Sequence, residues 1–510
     1  MQRDGATTSL WQHNVSDHNA GGATLPGTVD VLIVGGGITG LATALLLQQS
    51  GKQCLVAEAH TLCYGTTGGT TAHLNTFFDT TYDMVESDFG EEGARLLHTA
   101  ARSALDLVKR NIAEFGIDCG HSDRDGYVYA QTEKQEQQLD KTFQSSVNAG
   151  AEVEYTDTIP VPLPFRKAIV YRRQAQFHPT RYVLALAKAF ESLGGRIVQG
   201  CRVQDFESEG DLLHVNTSFT RITARWLIWA THIPPGINLL HFRNAPYRSY
   251  AIAAKLSDEA AYPEGLAYDL YDPYHYYRTQ EVDGERYLIA GGEDHKTAHE
   301  TNTEGCFAKL EAHVRNHFPV AEVAFRWSSQ YFEPSDGLPY IGHLPGNPDN
   351  VLVATGYSGN GMTYSHIAAM TLSDLIVKGE SGYAKLLAPG RVKPVAGFMD
   401  FVKENADVVA QFVGKRLKAS TLKELADLAP GEGRLVKYEG TSIALYKDAG
   451  GKLYALNPVC THAKCVVDWN SAERSWDCPC HGARYDVNGD VLTGPARKNL
   501  EPIDLEELDS

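Results

Sequence analysis

Cys460-Thr-His462 and Cys478-Pro-Cys-His481 place two thiols and two imidazoles in two short stretches near the end of the chain. These are the side chains that hold iron and zinc. Each stretch supplies one Cys and one His, as C-x-H and C-x-x-H. Zinc fingers usually group Cys with Cys and His with His along the chain. A mixed pair in each loop suits a [2Fe–2S] centre in which two thiolates hold one iron and two imidazoles the other. Its chemistry would be one-electron transfer; a Cys2His2 zinc site is the alternative. A second constellation lies near the start, Gly35-Gly-Gly37-Ile38-Thr39-Gly40. A glycine-rich turn of this spacing lets backbone N–H groups approach a diphosphate.

Both constellations need particular elements to position them. Asp30 precedes the apolar run Val31–Val34, which reads as a buried parallel strand. The glycines follow it, then a helical pattern from Leu41 to Gln49. A second strand, Gln53–Ala57, ends at the acid Glu58, placed to accept from ribose hydroxyls. Strand, turn, helix, strand and acid together make the dinucleotide fingerprint. Val351–Thr355 enters a second glycine turn, Gly356-Tyr-Ser-Gly359-Asn360-Gly361-Met362, followed by a helical pattern to Val377. Trp226–Thr231 reads as a third buried strand. Short alternating strands follow at Leu435–Tyr438, Ile443–Lys447 and Leu453–Leu456, the last two joined by a turn at Asp448–Gly451. These carry the cysteine- and histidine-bearing loops.

A chain of 510 residues implies two or three domains. A net charge of −17 argues against nucleic acid or an anionic membrane surface as partner. The long apolar stretch Val31–Leu47 is broken by glycines and reads as strand, turn and helix, so no integral membrane segment is expected. The polar start, without a secretory pattern, points to a cytoplasmic address. Five of the nine cysteines, Cys54, Cys63, Cys119, Cys201 and Cys306, are scattered and read as small buried hydrophobes.

Cys460–Cys465 and Cys478–Asp486 resemble the two cluster loops of the high-potential Rieske proteins of respiratory and photosynthetic complexes. The resemblance makes Cys460, His462, Cys478 and His481 the cluster ligands and pairs Cys465 with Cys480 in a disulfide. It makes Tyr485 a hydrogen-bond donor to a ligand sulfur. Ala483 stands where the family has a serine, so a potential below the best-equipped members is expected, within the Rieske range of about −150 to +300 mV. Gly494-Pro495-Ala496 resembles the family's third loop. An exposed histidine edge, at His462 or His481, is the expected electron port.

Residues Val29 to Leu387 resemble the FAD-dependent amino-acid and amine oxidoreductases, which include D-amino-acid oxidase, glycine oxidase, sarcosine oxidase and γ-glutamylputrescine oxidase. The fingerprint and Pro334-Ser-Asp-Gly-Leu-Pro-Tyr-Ile-Gly342 carry that resemblance. It implies FAD held by Gly35, Gly37, Ile38, Thr39, Gly40, Glu58 and Ala59, with Val203 near the adenine. Thr66, Thr67, Thr71 and Ala230 would follow along the cofactor, and Gly356, Gly359, Asn360, Gly361 and Met362 would meet the flavin. Thr67 and Thr70 replace a family Ser and Asn. Relatives attach FAD covalently through a His or Cys; His73 is a candidate by location alone, and an ordinary hydrogen-bonded histidine is the expected reading. Glu333 stands where α-amino-acid oxidising members carry a carboxylate-clamping Arg, which favours an amine or other cationic substrate. Arg172, Arg181, Arg248 and Arg278 remain as alternative clamps. Glu333, Tyr271 and Tyr276 are the expected pocket residues.

The expected fold is an α/β Rossmann-type FAD-binding domain with an inserted α+β substrate domain, plus a C-terminal all-β Rieske domain. An N-terminal extension spans 1–28 and the flavin domain 29–387. Its cofactor-binding parts lie at about 29–81, 150–240 and 325–387, with inserts at about 82–149 and 241–324. A helical linker at 388–417 leads to the Rieske domain at 418–510. The expected activity is oxidation of an amine or amino-acid-like C–N bond by hydride transfer to FAD. The [2Fe–2S] cluster would then relay single electrons to an external protein or quinone. The alternative is a monooxygenase or oxidase whose Rieske domain feeds the flavin or serves as a docking or redox-sensing module.

Overall fold

The computed structural model describes residues 1, 3–18, 25–391, 420–421, 428–438 and 441–504. The helix expected at Phe398–Lys418 and most of the turn expected at Thr421–Glu424 lie outside them.

Thr28–Val34 sits inside an eight-stranded sheet. Its neighbours run in the order Tyr340–His343, Val351–Thr355, Arg221–Trp229, Thr28–Val34, Cys54–Ala57 and Arg196–Val198. The strands from Val351–Thr355 to Arg196–Val198 are parallel. Such strands are covered on both faces, which explains their unbroken apolar runs. Helix Ile38–Gln49 is buried over most of its circumference. It packs against helices Gly361–Lys378 and Pro179–Ser192, so it reads as apolar all round. Both glycine turns leave the same edge of this sheet, at the carboxyl ends of Thr28–Val34 and Val351–Thr355. That edge is where open α/β sheets bind ligands.

A nine-stranded sheet stands beside the first. The strand-rich insert supplies Asn244–Leu256, Leu266–Tyr268, Tyr276–Val282 and Glu285–Lys296. The sheet also takes Val153–Thr156, Lys167–Gln176 and Val320–Pro334, beyond the expected limits of the inserts. Pairing decides this. Lys167–Gln176 lies antiparallel to Ser122–Ala130, and Val320–Pro334 runs along Asn244–Leu256. The polar run Gln131–Gln144 lies largely on helix Glu133–Ala149, opened by a capping box of Thr132 and Gln135. No helix among the described residues is long and apolar enough to cross a membrane.

The C-terminal region is all β among the described residues, with two four-stranded sheets. The first contains Gly433–Tyr438, Thr441–Lys447 and Leu453–Leu456, and its expected turn closes through Gly451 N–H to Asp448 O at 3.0 Å. The second runs Asp468–Asn470, Ser475–Asp477, Arg484–Tyr485, Val491–Thr493.

A buried charge network ties this region to the rest. Arg3 pairs with Glu473 at 3.4 Å and Asp4 with Arg484 at 3.0 Å. Arg484 reaches Asp477 at 3.2 Å, and Arg248 reaches Asp477 at 3.5 Å. Three guanidiniums and three carboxylates therefore neutralise one another where the N-terminal segment, the nine-stranded sheet and the C-terminal sheet meet. Burial alone would raise the Glu473 carboxyl, but Arg3, Arg248 and Arg484 outweigh it and hold it below the usual range. Trp11 is buried nearby, edge-on to Trp327 and under the Arg278 guanidinium.

Candidate cofactor and substrate site

Each cysteine- and histidine-bearing loop folds back on itself. Cys460 N–H donates to Cys465 O, and Cys478 N–H to Ala483 O, both at 2.8 Å. Cys465 and Cys480 are joined in a disulfide that clamps one loop to the other. Cys460, Cys478, His462 and His481 are buried, and the two imidazole centroids lie 5.0 Å apart. The Nδ1 atoms of both histidines are buried without a hydrogen-bond partner. Two thiols and two unpartnered Nδ1 atoms are a donor set that fits a [2Fe–2S] centre. The Tyr485 hydroxyl stands 3.2 Å from Cys460 Sγ. Cys478 lies close to the sulfurs of Cys465 and Cys480, but the disulfide takes both of those sulfurs as ligands out of play.

The histidine edge is not exposed. His462 is 9% and His481 3% accessible. His462 Nε2 donates to Gly236 O at 3.0 Å and lies 3.2 Å from His241 Nδ1. The ring of Phe242 packs edge-on to His481 at 5.5 Å. The expectation of an exposed histidine port is therefore corrected. The ring edges are covered by the segment that follows strand Arg221–Trp229, because the C-terminal loops dock onto that segment. Gly236 N–H donates to Pro495 O at 3.1 Å, and Gln330 Nε2 donates to Gly482 O at 2.8 Å, fixing the loops from two sides.

Beside this contact lies a cavity of about 670 Å³. One group of lining residues comes from the first glycine turn and its neighbours: Gly35, Gly37, Ile38, Thr39, Glu58, Ala59, Val203 and Ala230. Gly35 takes φ +113°, and a Cβ there would stand 2.4 Å from Ala230 O. Only glycine allows the chain to turn so close to the neighbouring strand. Gly40 does not line the cavity; its Cβ would meet Gly35 O at 1.9 Å, so it sets the approach of helix to turn. Glu58 accepts from Gly36 N–H and His60 N–H, each at 2.7 Å. Thr67 accepts from Ile38 N–H at 3.1 Å. Thr66 and Thr71 line the wall, as do Gly359, Asn360, Gly361 and Met362. Gly356 stays outside it, in the turn behind. A cavity of this size with a glycine cradle at a helix N-terminus fits a dinucleotide. The C-terminal region supplies part of the same wall through Leu492–Gly494 and Ala496–Lys498.

Another part of the wall carries two acids and four tyrosines: Asp79, Asp294, Tyr268, Tyr274, Tyr276 and Tyr331. Asp79 accepts from Gly359 N–H at 2.7 Å and from the Tyr274 hydroxyl at 3.3 Å. Asp294 Oδ2 accepts from the Tyr331 hydroxyl at 3.0 Å. Burial raises both carboxyls, Asp294 to about 7.

Of the expected pocket residues, Tyr276 lines the cavity. Tyr271 is 47% exposed, on the loop before Tyr276, and does not line it. Glu333 lies at the end of strand Val320–Pro334, where Tyr331 donates to it at 3.4 Å; it too is outside the lining. Four acids line the cavity, Glu58 and Asp205 beside the first glycine turn and Asp79 and Asp294 among the tyrosines. None of the four arginines considered as clamps is there. Arg172 and Arg181 form partly exposed ion pairs, Arg248 belongs to the buried network, and Arg278 donates to Ala72 O and Phe177 O. His73 does line the cavity, 3.2 Å from the Thr71 hydroxyl. Asp79, Asp294 and Arg497 carry no local signature, since each acquires its neighbours from residues far away in the chain; His241 is held locally by Asn238 and Pro234 but meets His462 only through the fold.

The model of the FAD dependent oxidoreductase family matches residues 30–375, and that of the Rieske [2Fe-2S] domain matches 419–504. The Rieske 2Fe-2S iron-sulfur protein YhfW of Bacillus subtilis (strain 168) is 34% identical over 94% of both chains. Gamma-glutamylputrescine oxidoreductase of Escherichia coli (strain K12) is 24% identical over 68% of this chain and 84% of its own. The crystal structure of glycine oxidase from Geobacillus kaustophilus superposes with a TM-score of 0.60 at 18% identity, covering 72% of this chain and all of that one.

Proposed function

From a chain that belongs to the FAD dependent oxidoreductase family and carries a C-terminal Rieske domain, we infer a dehydrogenase acting on the C–N bond of an amine or amino-acid-like substrate, with electrons relayed through the cluster to an external protein or quinone. Its cofactors are FAD and a Rieske [2Fe–2S] cluster. When bound, FAD would supply hydride acceptance from the carbon beside nitrogen, and the cluster would supply one-electron transfer. Oxidising a C–N single bond to an imine releases two electrons and two protons, so a one-electron carrier in the same chain would suit a single-electron acceptor.

The observation that carries this reading is the shared wall. Residues 492–494 and 496–498 of the Rieske domain line the cavity that also holds Gly35 and Ala230. From the other side, His462 bonds Gly236, on the segment that follows Ala230. In this reading Gly35, Gly37, Ile38 and Thr39 hold the diphosphate, Glu58 the ribose, and Val203 packs on the adenine. Thr66, Thr67 and Thr71 would line the path to the flavin, and Gly359–Met362 would receive it. Cys460, His462, Cys478 and His481 hold the cluster. Gly40 and Gly356 act by packing. Ile237, Leu239 and Phe242 are exposed beside the covered histidines and mark the face that an acceptor would approach. Anaerobic mixing with a reducing amine should bleach the flavin and bring up the paramagnetic signal of the reduced cluster. A bleached flavin beside an oxidised cluster would refute the relay.

One substitution probes the shared wall and a second probes the cluster. Arg497 lines the cavity and donates to Pro235 O at 3.2 Å. Losing this cation in Arg497→Ala should weaken FAD binding about tenfold in a flavin-fluorescence titration, with the cluster spectrum unchanged. In Tyr485→Phe the sulfur of Cys460 loses a donor that favours the reduced cluster. The potential should fall by about 40–90 mV, the equivalent of about 1–2 kcal/mol for one electron. Protein-film voltammetry measures it.

A further inference from the structure

We propose that the substrate is an amine cation with no carboxylate on its reacting carbon, held between Asp79 and Asp294 inside a wall of tyrosines. The proposal rests on the C–N dehydrogenase reading and names its substrate class.

The two carboxylates come from distant parts of the chain and face one cavity. Asp79 is fixed by the Gly359 N–H and the Tyr274 hydroxyl. Asp294 is fixed through Oδ2 by Tyr331, while its Oδ1 is buried with no hydrogen-bond partner. A buried carboxylate oxygen without a donor is costly unless something else supplies the charge. No lysine or arginine among the described residues lines this half of the cavity, and His275, which packs behind Asp294, offsets the burial only in part. Among the described residues, the lysine and arginines lining it are Arg202, Arg497 and Lys498. These stand on the Rieske side, where Arg202 reaches Val491 O and Arg497 faces Asp205. An ammonium group would supply the missing charge and the missing donors together. Tyrosine ring faces add attraction for a cation. An α-amino acid would bring its carboxylate towards two acids with no guanidinium to receive it, and like charges reject such a ligand.

The proton balance agrees with this geometry. Burial, and then the neighbouring Asp79, raises Asp294 to about 7, against the opposing effects of Ser249, Tyr331 and His275. Below that pH Asp294 holds a proton and cannot pair with an ammonium. Amine affinity should therefore fall on acidification through about 7 and level off above it.

The test uses the full-length holoprotein under anaerobic conditions. Butylamine, N-methylbutylamine and 1,4-diaminobutane are compared with glycine, N-methylglycine and D- and L-alanine. Flavin spectral perturbation reads binding, and bleaching reads oxidation. The amines should perturb and bleach the flavin, and the amino acids should do neither. Asp294→Asn should weaken amine binding about tenfold or more and flatten its pH dependence near 7, with FAD content and cluster signal retained. Asp79→Asn is the second variant, and it should weaken the same amines. Bleaching by amino acids but not by amines would overturn the substrate class and leave C–N dehydrogenation standing. Amines that bind without bleaching would support the site and sink the dehydrogenase reading. Amine binding unchanged in both variants, or no binding at all, would overturn the site.

Discussion

Glu473→Ala should destabilise the protein by about 3–5 kcal/mol, the cost of breaking a buried ion pair from one side. Glu473 Oε2 receives Arg3 at 3.4 Å and the Ala6 N–H at 2.9 Å, and its Oε1 receives the Ser328 hydroxyl at 2.5 Å. Removing the carboxylate leaves Arg3 and Arg248 buried with less charge against them. Both are nearly inaccessible, so water cannot stand in for the lost partner. Glu473→Gln keeps the shape and should lose less. Thermal unfolding of the holoprotein, followed by flavin release, measures the change. A loss under about 1 kcal/mol would mean that desolvation of the charges already cancels their attraction. The pH dependence has a definite sign. The folded-state carboxyl of Glu473 is depressed, so its contribution is present above the usual unfolded value of about 4.3 and disappears as pH falls through the folded value. Acid should therefore loosen the junction of N-terminal segment, sheet and Rieske domain. In Glu473→Gln that acid limb should be shallower.

Gly40→Val should abolish FAD retention, weakening it by about a hundredfold or more. The added Cβ would fall 1.9 Å from Gly35 O and 3.5 Å from Ile33 Cγ2, both inside the closest helix–strand contact. Relief requires the helix to move away from the turn, and with it the N–H groups that would face the diphosphate. Two such charge-assisted bonds lost at about 1.5–3 kcal/mol each account for the size of the effect. Flavin content after gel filtration measures it. The cluster spectrum is the internal control, since the Cys and His loops lie on other sheets. Gly40→Ala meets the same Cβ position, and if it bound FAD with wild-type affinity the packing role of Gly40 would be wrong.

The parts that were legible in the sequence share one property: their partners are close along the chain or repeat with a regular period. The two loops carrying Cys460, His462, Cys478 and His481 each close through a bond spanning five residues, so their spacing is local information. Val31–Val34, Gly35–Gly40 and Glu58 lie within one strand–turn–helix–strand unit, and its apolar runs follow from burial on both faces. The disulfide and the Tyr485 contact came from resemblance to a family and not from spacing. Glu333 and Tyr271 lie outside the cavity lining, because a position along a segment says nothing about which way a strand end or loop finally faces. The extent of the second sheet was likewise hidden, since Lys167–Gln176 and Val320–Pro334 look like any other strands until their partners are known.

The residue types and spacings of this chain by themselves marked a dinucleotide-binding turn and a loop pair of two cysteines and two histidines, and resemblance to two families gave FAD and the Rieske cluster. Only the tertiary structure decided that Asp79 and Asp294 share a cavity. It also decided that the cluster histidines face inward against Gly236 and His241, and that Arg3, Asp4, Arg248, Glu473, Asp477 and Arg484 form one neutral buried knot. Each of these depends on charges and donors brought together from hundreds of residues apart. Their energies arise from mutual desolvation and Coulomb attraction at the contact, and no local pattern encodes that.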